Sequence, residues 1–215
     1  MSMFDSERIG LIVTASCLFS FCLTVGDNAY GAINSWNAGS GVLPSDPSIP
    51  ADQRFELVGE QSFVSLQNGY VNINDDSQTP RMGFEKTGID TIPADDEWAF
   101  QTEIRINSHS RPYLDWAADL AIMDGNKSVM LLIAKDAVGF ANPNAHSYVN
   151  GSFYALDTTD TFHTYRVIKN MASVDLFVDN MVSPVVSVPY NDFQLWWDNT
   201  NMILLASTST MGVAN

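Results

Sequence analysis

The stretch TFHTYRVIKNMASVDLFVDN, residues 161–180, constrains the fold more than any other part of the chain. Apolar and polar residues alternate along it, the alternation breaks at Lys169-Asn170, and it resumes from Ser173 to Val178. A period of two is typical of a β-strand with one buried face, because successive side chains point to opposite sides of a sheet. The stretch therefore predicts two strands joined by a short turn, with the side chains of His163, Tyr165 and Val167 in the core.

Most of the chain beyond residue 54 has the same character of short strands closed by Gly, Asn or Asp. Asn68-Gly69 suits a two-residue hairpin turn, because both residues tolerate a positive φ. Asp124-Gly125 divides the apolar stretch from Ala118 to Lys135, which favours a hairpin over the helix that apolar content alone would allow. The spacing predicts an all-β fold, a two-sheet antiparallel β-sandwich. After four short strands between 55 and 86, further strands are predicted at 98–107, 116–123, 127–134, 136–141, 146–150, 162–169, 173–178, 184–188 and 202–207.

The N-terminus carries an apolar run, IGLIVTASCLFSFCLTVG, at residues 9–26. It is followed by Ala29-Tyr30-Gly31, a small-x-small pattern typical of signal-peptide cleavage, so the mature chain is expected to begin near Ala32 or Ile33. A retained membrane anchor is the alternative, since Arg8 is the only basic residue before the run. The predicted organisation is a signal peptide at 1–31, an extended lead-in at 32–54 and a sandwich domain at 55–215, secreted, periplasmic or at the cell surface.

Charge narrows the range of partners. The chain has 10 Lys and Arg against 25 Asp and Glu, for a net charge of -15. Without a basic stripe, nucleic acid, anionic membranes and strongly acidic polysaccharides are disfavoured. Neutral glycans or an extracellular surface remain as partners. Both cysteines, Cys17 and Cys22, lie in the apolar run, so the mature chain offers no disulfide, thiol nucleophile or cysteine metal site.

Alternation also sorts the residues of each strand between the two faces. In WAFQTEIRIN the polar Gln101, Glu103 and Arg105 share the face opposite the apolar residues, and in DWAADLAIM Asp119 does so. Placing Tyr165 in the core leaves Arg166 on a charged face, where Glu103 and Asp119 are expected to meet it. Asp175 and Phe177 are likewise expected to face outward. The predicted core contains Phe100, Ile104, Leu120, Ile122, Leu131, Ile133, Val174 and Leu176.

Three segments, EWAFQTEIRI, IMDGNKSVMLLIAKDAVGF and DTTDTFHTYRVIKNMASVDLFVDN, together resemble the concanavalin A-like lectin/glucanase superfamily. The similarity is greatest to bacterial laminin-G-like jelly-roll modules and extends over roughly residues 55–207. The resemblance implies a jelly-roll sandwich, but this fold serves lectins, adhesins, glycosidases and lyases alike. Such modules usually end in a last strand of the Asp-Tyr-Val-Arg kind, whereas this sequence ends in STMGVAN. That strand is expected either to be missing, leaving an exposed sheet edge, or to be supplied by the lead-in.

Catalytic motifs of the superfamily are not found in the sequence. The glucanase triplet Glu-x-Asp-x-x-Glu, which places a nucleophile and an acid on one face, has no counterpart, and neither do the lyase motifs. The sequence therefore favours a secreted, non-catalytic carbohydrate-binding or adhesion module. The alternative is a glycoside hydrolase or polysaccharide lyase that uses Glu103 and Asp119 as acid and base. An ion-pair network of these two carboxylates with Arg105 and Arg166 is the competing structural explanation.

Candidate ligand-binding residues follow from these hypotheses. The charged patch is expected to position sugar hydroxyls, because an arginine-paired carboxylate has a lowered pKa and makes a poor general acid. Aromatic side chains are expected to stack on sugar rings, although Trp116 has the parity of a core residue. The candidate carbohydrate-binding residues are Glu103, Arg105, Asp119, Arg166, Tyr113 and Tyr148, with Trp116, Tyr154, Trp196 and Trp197 as further stacking candidates.

Calcium is the cofactor that the sequence suggests. Oxygen-rich loops occur at Asn74-Asp75-Asp76, at Asp95-Asp96-Glu97 and at Asp157 with Asp160, and hard cations take six to eight oxygen ligands from such loops. Acidic turn formers without a cation are the alternative explanation. The candidate calcium ligands are Asp75, Asp76, Asp157 and Asp160. The histidines His109, His146 and His163 lack metal-ligand spacing and are expected to pack or lie on the surface.

Overall fold

A computed structural model of the chain describes residues 11–14, 41–67, 70–73, 82–87, 97–106, 116–124, 126–142, 147–195 and 202–207. Two antiparallel sheets of seven strands each make up the fold, which confirms the predicted all-β, two-sheet antiparallel sandwich of the jelly-roll class. The bounds of most predicted strands agree within two residues, but the strand predicted at 146–150 continues to Ala155, and the strand at Leu11–Thr14 was not predicted. Among the described residues, no helix is long and apolar enough to cross a membrane.

Sheet A has the strand order β13-β12-β11-β6-β1-β4-β3. Its strands are β1 (Leu11–Thr14), β3 (Val64–Gln67), β4 (Tyr70–Ile73), β6 (Trp98–Ile106), β11 (His163–Lys169), β12 (Ser173–Val178) and β13 (Val186–Pro189).

Sheet B has the strand order β10-β9-β8-β7-β14-β5-β2. Its strands are β2 (Glu56–Val58), β5 (Met82–Thr87), β7 (Trp116–Met123), β8 (Ser128–Ala134), β9 (Ala137–Asn142), β10 (Ser147–Ala155) and β14 (Met202–Ser207). Short 3-10 helices lie at Gln61–Phe63 and Tyr190–Asp192.

The main core lies between the two sheets. All eight predicted core residues are buried there, and so are His163, Tyr165 and Val167. Strands β6 and β11 alternate strictly between buried and half-buried residues. Each of these strands therefore directs one face into the core and presents the other to the outside, as the period of two predicts.

The lead-in contributes packing and no strand in its described part. Residues 41–54 form turns, in which the backbone N–H of Asp46 donates to the carbonyl of Leu43 and that of Ile49 to the carbonyl of Asp46. Leu43 and Ile49 pack against the main core. This part of the lead-in thus covers the sandwich without extending a sheet.

Strand β1 occupies a central position in sheet A. Leu11–Thr14 pairs with β4 on one side and with β6 on the other. These residues belong to the apolar run that predicts a signal peptide, so the strand between β4 and β6 comes neither from the lead-in nor from the C-terminal end. Cleavage after Gly31 is untested and stays a prediction. The last described strand, β14, lies inside sheet B between β7 and β5.

Candidate functional site

The outer face of sheet A carries the charged residues that alternation assigned to it. In the strand register, Gln101 of β6, Arg166 of β11 and Phe177 of β12 lie side by side. Glu103 lies opposite Thr164 in the next row. All five are half-buried and belong to the parity that points away from the core. The polar patch predicted for Arg166 and Glu103 therefore exists on this face, and Phe177 faces outward as predicted.

The two arginines of this face stack on phenylalanine rings. The guanidinium carbon of Arg166 lies 4.6 Å from the ring centroid of Phe177, and that of Arg105 lies 5.0 Å from the centroid of Phe162. Such stacking combines cation–π attraction with van der Waals contact and fixes the plane of the guanidinium group. Within the described part of the chain, Nε of each arginine is buried without a hydrogen-bond partner.

The predicted ion-pair network does not form between these groups. Ion pairs are found at His163, with Asp160 and Asp179, and none joins Glu103 to Arg105 or Arg166 among the described side chains. The arginines are held by the phenylalanine rings instead.

Asp119 is not part of this patch, and the prediction that it meets Arg166 and Glu103 is wrong. It lies on β7 in sheet B, whereas Glu103 and Arg166 belong to sheet A. Its strand neighbours Leu120 and Ile122 point into the main core, so Asp119 points to the opposite side of its sheet. Glu103 and Asp119 consequently face away from each other across the sandwich and cannot act as a paired acid and base.

Asp119 lies on a face of sheet B whose described residues are largely apolar. The outer face of sheet B forms a second hydrophobic layer, against which Tyr148 packs. Asp119 is only 1% exposed, and it lies in register with Leu132 of β8. The second layer comprises Ala121, Met123, Met130, Leu132, Ala134, Ala141, Met202 and Leu204.

Tyr148 lies at the edge of this second layer, far from the charged patch of sheet A. Its strand, β10, is an edge strand of sheet B. Its ring centroid is 5.4 Å from that of Phe153, with an angle of 31° between the ring planes. Of the other stacking candidates in the described part, Tyr154 packs against the main core.

His163 joins the start of β11 to two carboxylates. Its Nδ1 lies 3.0 Å from Oδ2 of Asp179, and its Nε2 lies 3.1 Å from Oδ1 of Asp160 and 3.0 Å from the carbonyl of Asp157. Burial by itself lowers the pKa of His163, but the hydrogen bonds to Asp179, Asp160 and the Asp157 carbonyl outweigh it and raise the pKa above its usual value. The cluster favours a protonated histidine that ties the loop before β11 to the end of β12.

The carboxylates predicted to bind calcium are partly engaged in these local contacts. Oδ1 of Asp157 accepts from the hydroxyl of Thr159 at 2.6 Å and from its backbone N–H at 2.9 Å. These hydrogen bonds lower the pKa of Asp157. Among the described residues, no group of three or more His, Cys, Asp or Glu is arranged to hold a metal ion. Asp157 and Asp160 thus behave as turn formers in this loop, and calcium binding stays a prediction.

Several predicted residues lie outside the described ranges. These are Asp75, Asp76, Asp95, Asp96, Tyr113, His109, His146, Trp196 and Trp197, and of Trp116 only the backbone is described. Conversely, sequence reasoning missed Phe153 and Phe162. Phe162 directly precedes the alternating strand β11, and Phe153 follows Asn150-Gly151, a dipeptide that signals a turn or bulge.

Comparisons with known proteins give structural neighbours only. No family model matches the chain, and no curated protein matches it. The chain is similar to an apo Crh5 transglycosylase at 16% identity, covering 80% of this chain and 70% of that chain, with a TM-score of 0.41. The same enzyme in complex with NAG matches at 17% identity over 72% of this chain and 64% of that chain, with a TM-score of 0.39. A glycosyl hydrolase family protein from Mycobacterium fortuitum is 12% identical over 100% of this chain and 86% of that chain, with a TM-score of 0.36.

At these identities and TM-scores, the structural neighbours do not establish the family or the activity of this chain. The sandwich architecture follows from the strand order of the chain itself. The narrower resemblance to laminin-G-like modules stays a prediction.

Proposed function

We propose that this is a carbohydrate-active protein that binds a neutral glycan on the outer face of sheet A. The observation that carries the proposal is the Arg166–Phe177 stack, with Gln101 beside Arg166 in the same cross-strand row. Planar guanidinium and amide groups make directional hydrogen bonds to neighbouring hydroxyls, and the ring supplies an apolar surface. The row therefore offers the two kinds of contact that a sugar requires.

Electrostatics supports a neutral ligand. The two arginines of the face are accompanied by Glu103 and Asp175, so its charge is close to balanced. Asp175 is already held by hydrogen bonds from the hydroxyls of Ser173 at 3.1 Å and Ser187 at 2.5 Å. An acidic polysaccharide would also be repelled by the chain's net charge of -15.

Export is part of the proposal. The apolar run at residues 9–26 and the cleavage pattern at Ala29-Tyr30-Gly31 support delivery outside the cytoplasm. Glycans and extracellular surfaces are the partners available there. Calcium is not needed for the contacts described on this face.

Retention by neutral polysaccharides in affinity electrophoresis tests the binding surface. Arg166→Ala and Glu103→Gln should each weaken retention, and Arg166→Lys should restore only part of it, because lysine keeps the charge but lacks the planar fork. Lys135→Ala, which removes an exposed cation at the β8–β9 turn, is the matched control. Unchanged retention of Arg166→Ala would reject this face as the binding surface.

A carbohydrate-active enzyme is the second candidate, with its site on the outer face of sheet B. Asp119 belongs to this face, and so does the half-buried Glu85 of β5, which is in register with Leu204 of the second layer. Glycoside hydrolysis uses two carboxylates on one surface. Glu85 and Asp119 share one face of sheet B, whereas Glu103 and Asp119 do not, and Asp119 would have to become accessible for catalysis because it is only 1% exposed.

One assay separates the two candidates. If the protein only binds, wild type should release no reducing ends and no unsaturated products from any polysaccharide that retains it. Turnover that is abolished by Asp119→Asn or Glu85→Gln, and kept by Arg166→Ala, would establish the enzyme and place its site on sheet B. Circular dichroism of each variant should confirm that the fold is intact.

A further inference from the structure

Strand β10 contains a bulge that places two aromatic side chains on the same face. Its pairing with β9 shifts register between Tyr148 and Phe153. These residues are five positions apart, so an unbroken strand would point them to opposite sides of the sheet. With the shift, Tyr148 lies opposite Ala141 and Phe153 lies opposite Gly139. Because positions 139 and 141 of β9 share a face, both rings lie on the outer face of sheet B.

The bulge depends on two consecutive residues with left-handed backbone. Asn150 has a φ of 54° and Gly151 a φ of 67°, a conformation that glycine adopts freely and asparagine tolerates better than most residues. The side-chain amide of Asn150 also donates to Oδ2 of Asp192 at 2.7 Å, which braces the bulge against the 3-10 helix Tyr190–Asp192. Bulges often re-aim a side chain beside a functional site.

A glycine in the neighbouring strand provides the space for the first ring. A Cβ atom at Gly139 would lie 2.6 Å from Cδ1 of Tyr148 and 2.8 Å from the carbonyl oxygen of Ser152. The Tyr148 ring therefore rests directly on the backbone of β9. Phe153 lies beside it with its ring centroid 5.4 Å away. We call these two rings the aromatic shelf.

The outer ring of the shelf is exposed. Phe153 is 53% exposed, although its position is fixed by the bulge and the adjoining Tyr148 ring. Before Phe153 the backbone is held by the left-handed pair Asn150-Gly151 and by the Asn150–Asp192 contact, and after it the strand stays paired with β9 through Ala155. An exposed apolar ring in a fixed orientation is suited to packing against a flat apolar surface of a ligand.

We propose that the aromatic shelf is a binding subsite for the apolar face of a neutral pyranose ring, distinct from the Arg166 surface on sheet A. The C–H bonds on one side of a pyranose carry slight positive charge and pack against the negative face of an aromatic ring. The sugar hydroxyls then point sideways, away from the rings, and stay solvated. The nearby Asp192 carboxylate and the chain's net charge of -15 disfavour an anionic sugar.

The shelf is aligned with Asp119 across the sheet. Phe153 of β10, Gly139 of β9, Leu132 of β8 and Asp119 of β7 form one cross-strand row. Three strand spacings separate its ends, which is about 14 Å. Leu132 and Asp119 are buried, so the shelf is the exposed end of this row and a sugar bound there does not reach the carboxylate.

Affinity electrophoresis on neutral polysaccharides tests this subsite. The full-length variants to compare with wild type are Phe153→Ala, Phe153→Trp and Val182→Ala. Phe153→Ala should weaken retention about three- to tenfold, as loss of one aromatic contact predicts, and Phe153→Trp should keep or increase it. Val182→Ala, an equally apolar truncation at a turn residue that is 95% exposed, should leave retention unchanged. Because Phe153 is exposed, its truncation should leave the core and the melting temperature unchanged, and a melting curve of the variant checks this.

The outcomes separate the subsite from the Arg166 surface. Weaker retention of Phe153→Ala with normal retention of Arg166→Ala supports the shelf alone. Normal retention of Phe153→Ala on every polysaccharide that binds wild type overturns the shelf and leaves the Arg166 surface standing. Retention that is displaced by a lysine-rich peptide and by no neutral sugar would also overturn it, since the ring would then serve a cation.

Discussion

The outer faces of the two sheets differ in how far their residues are buried. Strand β11 in sheet A alternates between buried and half-buried residues, whereas every residue of β8 in sheet B is buried. Sheet A therefore has one apolar face and one polar face, and sheet B has two apolar faces. The difference indicates that the outer face of sheet A is partly solvated, whereas the outer face of sheet B is buried around β8 and Asp119 and becomes exposed toward its edge at Phe153.

The largest expected effect comes from truncating one apolar residue on each outer face and comparing the losses in unfolding free energy. Leu204→Ala removes a fully buried side chain from the second layer of sheet B and should lower the free energy of unfolding by about 2–5 kcal/mol. Ile168→Ala, at a half-buried position on the outer face of sheet A, should cost less than about 1 kcal/mol. Denaturant unfolding measures both. Equal losses would remove the distinction between the two faces.

A smaller effect is expected from pH, because His163 at the start of β11 forms a titratable cluster with Asp160 and Asp179. The pKa of His163 is raised above 6.5 in the folded protein, so its contribution to stability is fully present below that value and is lost as pH rises through the folded pKa. Between pH 5 and pH 9, wild type should lose stability relative to His163→Gln. The Asp179→Asn variant should show a reduced dependence on pH, since the remaining partners are Asp160 and the Asp157 carbonyl.

Unfolding curves at each pH check this expectation. Leu204→Ala serves as the control, because its loss arises from packing and should be the same at every pH. A His163→Gln variant that tracks wild type across the range would show that the histidine contributes no linked protonation.

The smallest effect is expected for the hydroxyl of Tyr165. This group is buried in the main core and has no hydrogen-bond partner among the described residues. Burial raises the pKa of Tyr165 far above its usual value, and the nearby Asp179 and Asp160 add to the shift. Tyr165→Phe removes an unsatisfied polar group, so the change in unfolding free energy should lie within about 1 kcal/mol and favour the variant. A clearly lower melting temperature would mean that the hydroxyl has a partner.

Alternation predicted the inner layer well because it reports directly which face of a strand is buried. The residues of β6, β11 and β12 fell on the expected faces, including Phe177. In β8 the sequence SVMLLIA is apolar at both parities, a pattern typical of a strand buried on both sides. Only Leu131 and Ile133 were assigned to the core, and the second layer containing Met130 and Leu132 was missed.

The site was less predictable because strand order is a property of the whole fold. Strands β6 and β7 are consecutive in the sequence but belong to different sheets, so the expected proximity of Glu103 and Asp119 failed. The position of Phe153 depends on a register shift, which a period of two cannot reveal. Asn150-Gly151 was the available signal, since this dipeptide favours left-handed backbone.

Strand β1 lies inside the predicted signal peptide, so cleavage of that peptide would remove a strand from sheet A. Leu11–Thr14 closes the gap between β4 and β6, yet the same residues would leave with a signal peptide cut after Gly31. A shortened chain would present two facing edges with unpaired backbone groups, and such edges recruit any compatible strand. If the predicted cleavage occurs, the gap between β4 and β6 becomes a place where a strand from another chain can complete sheet A.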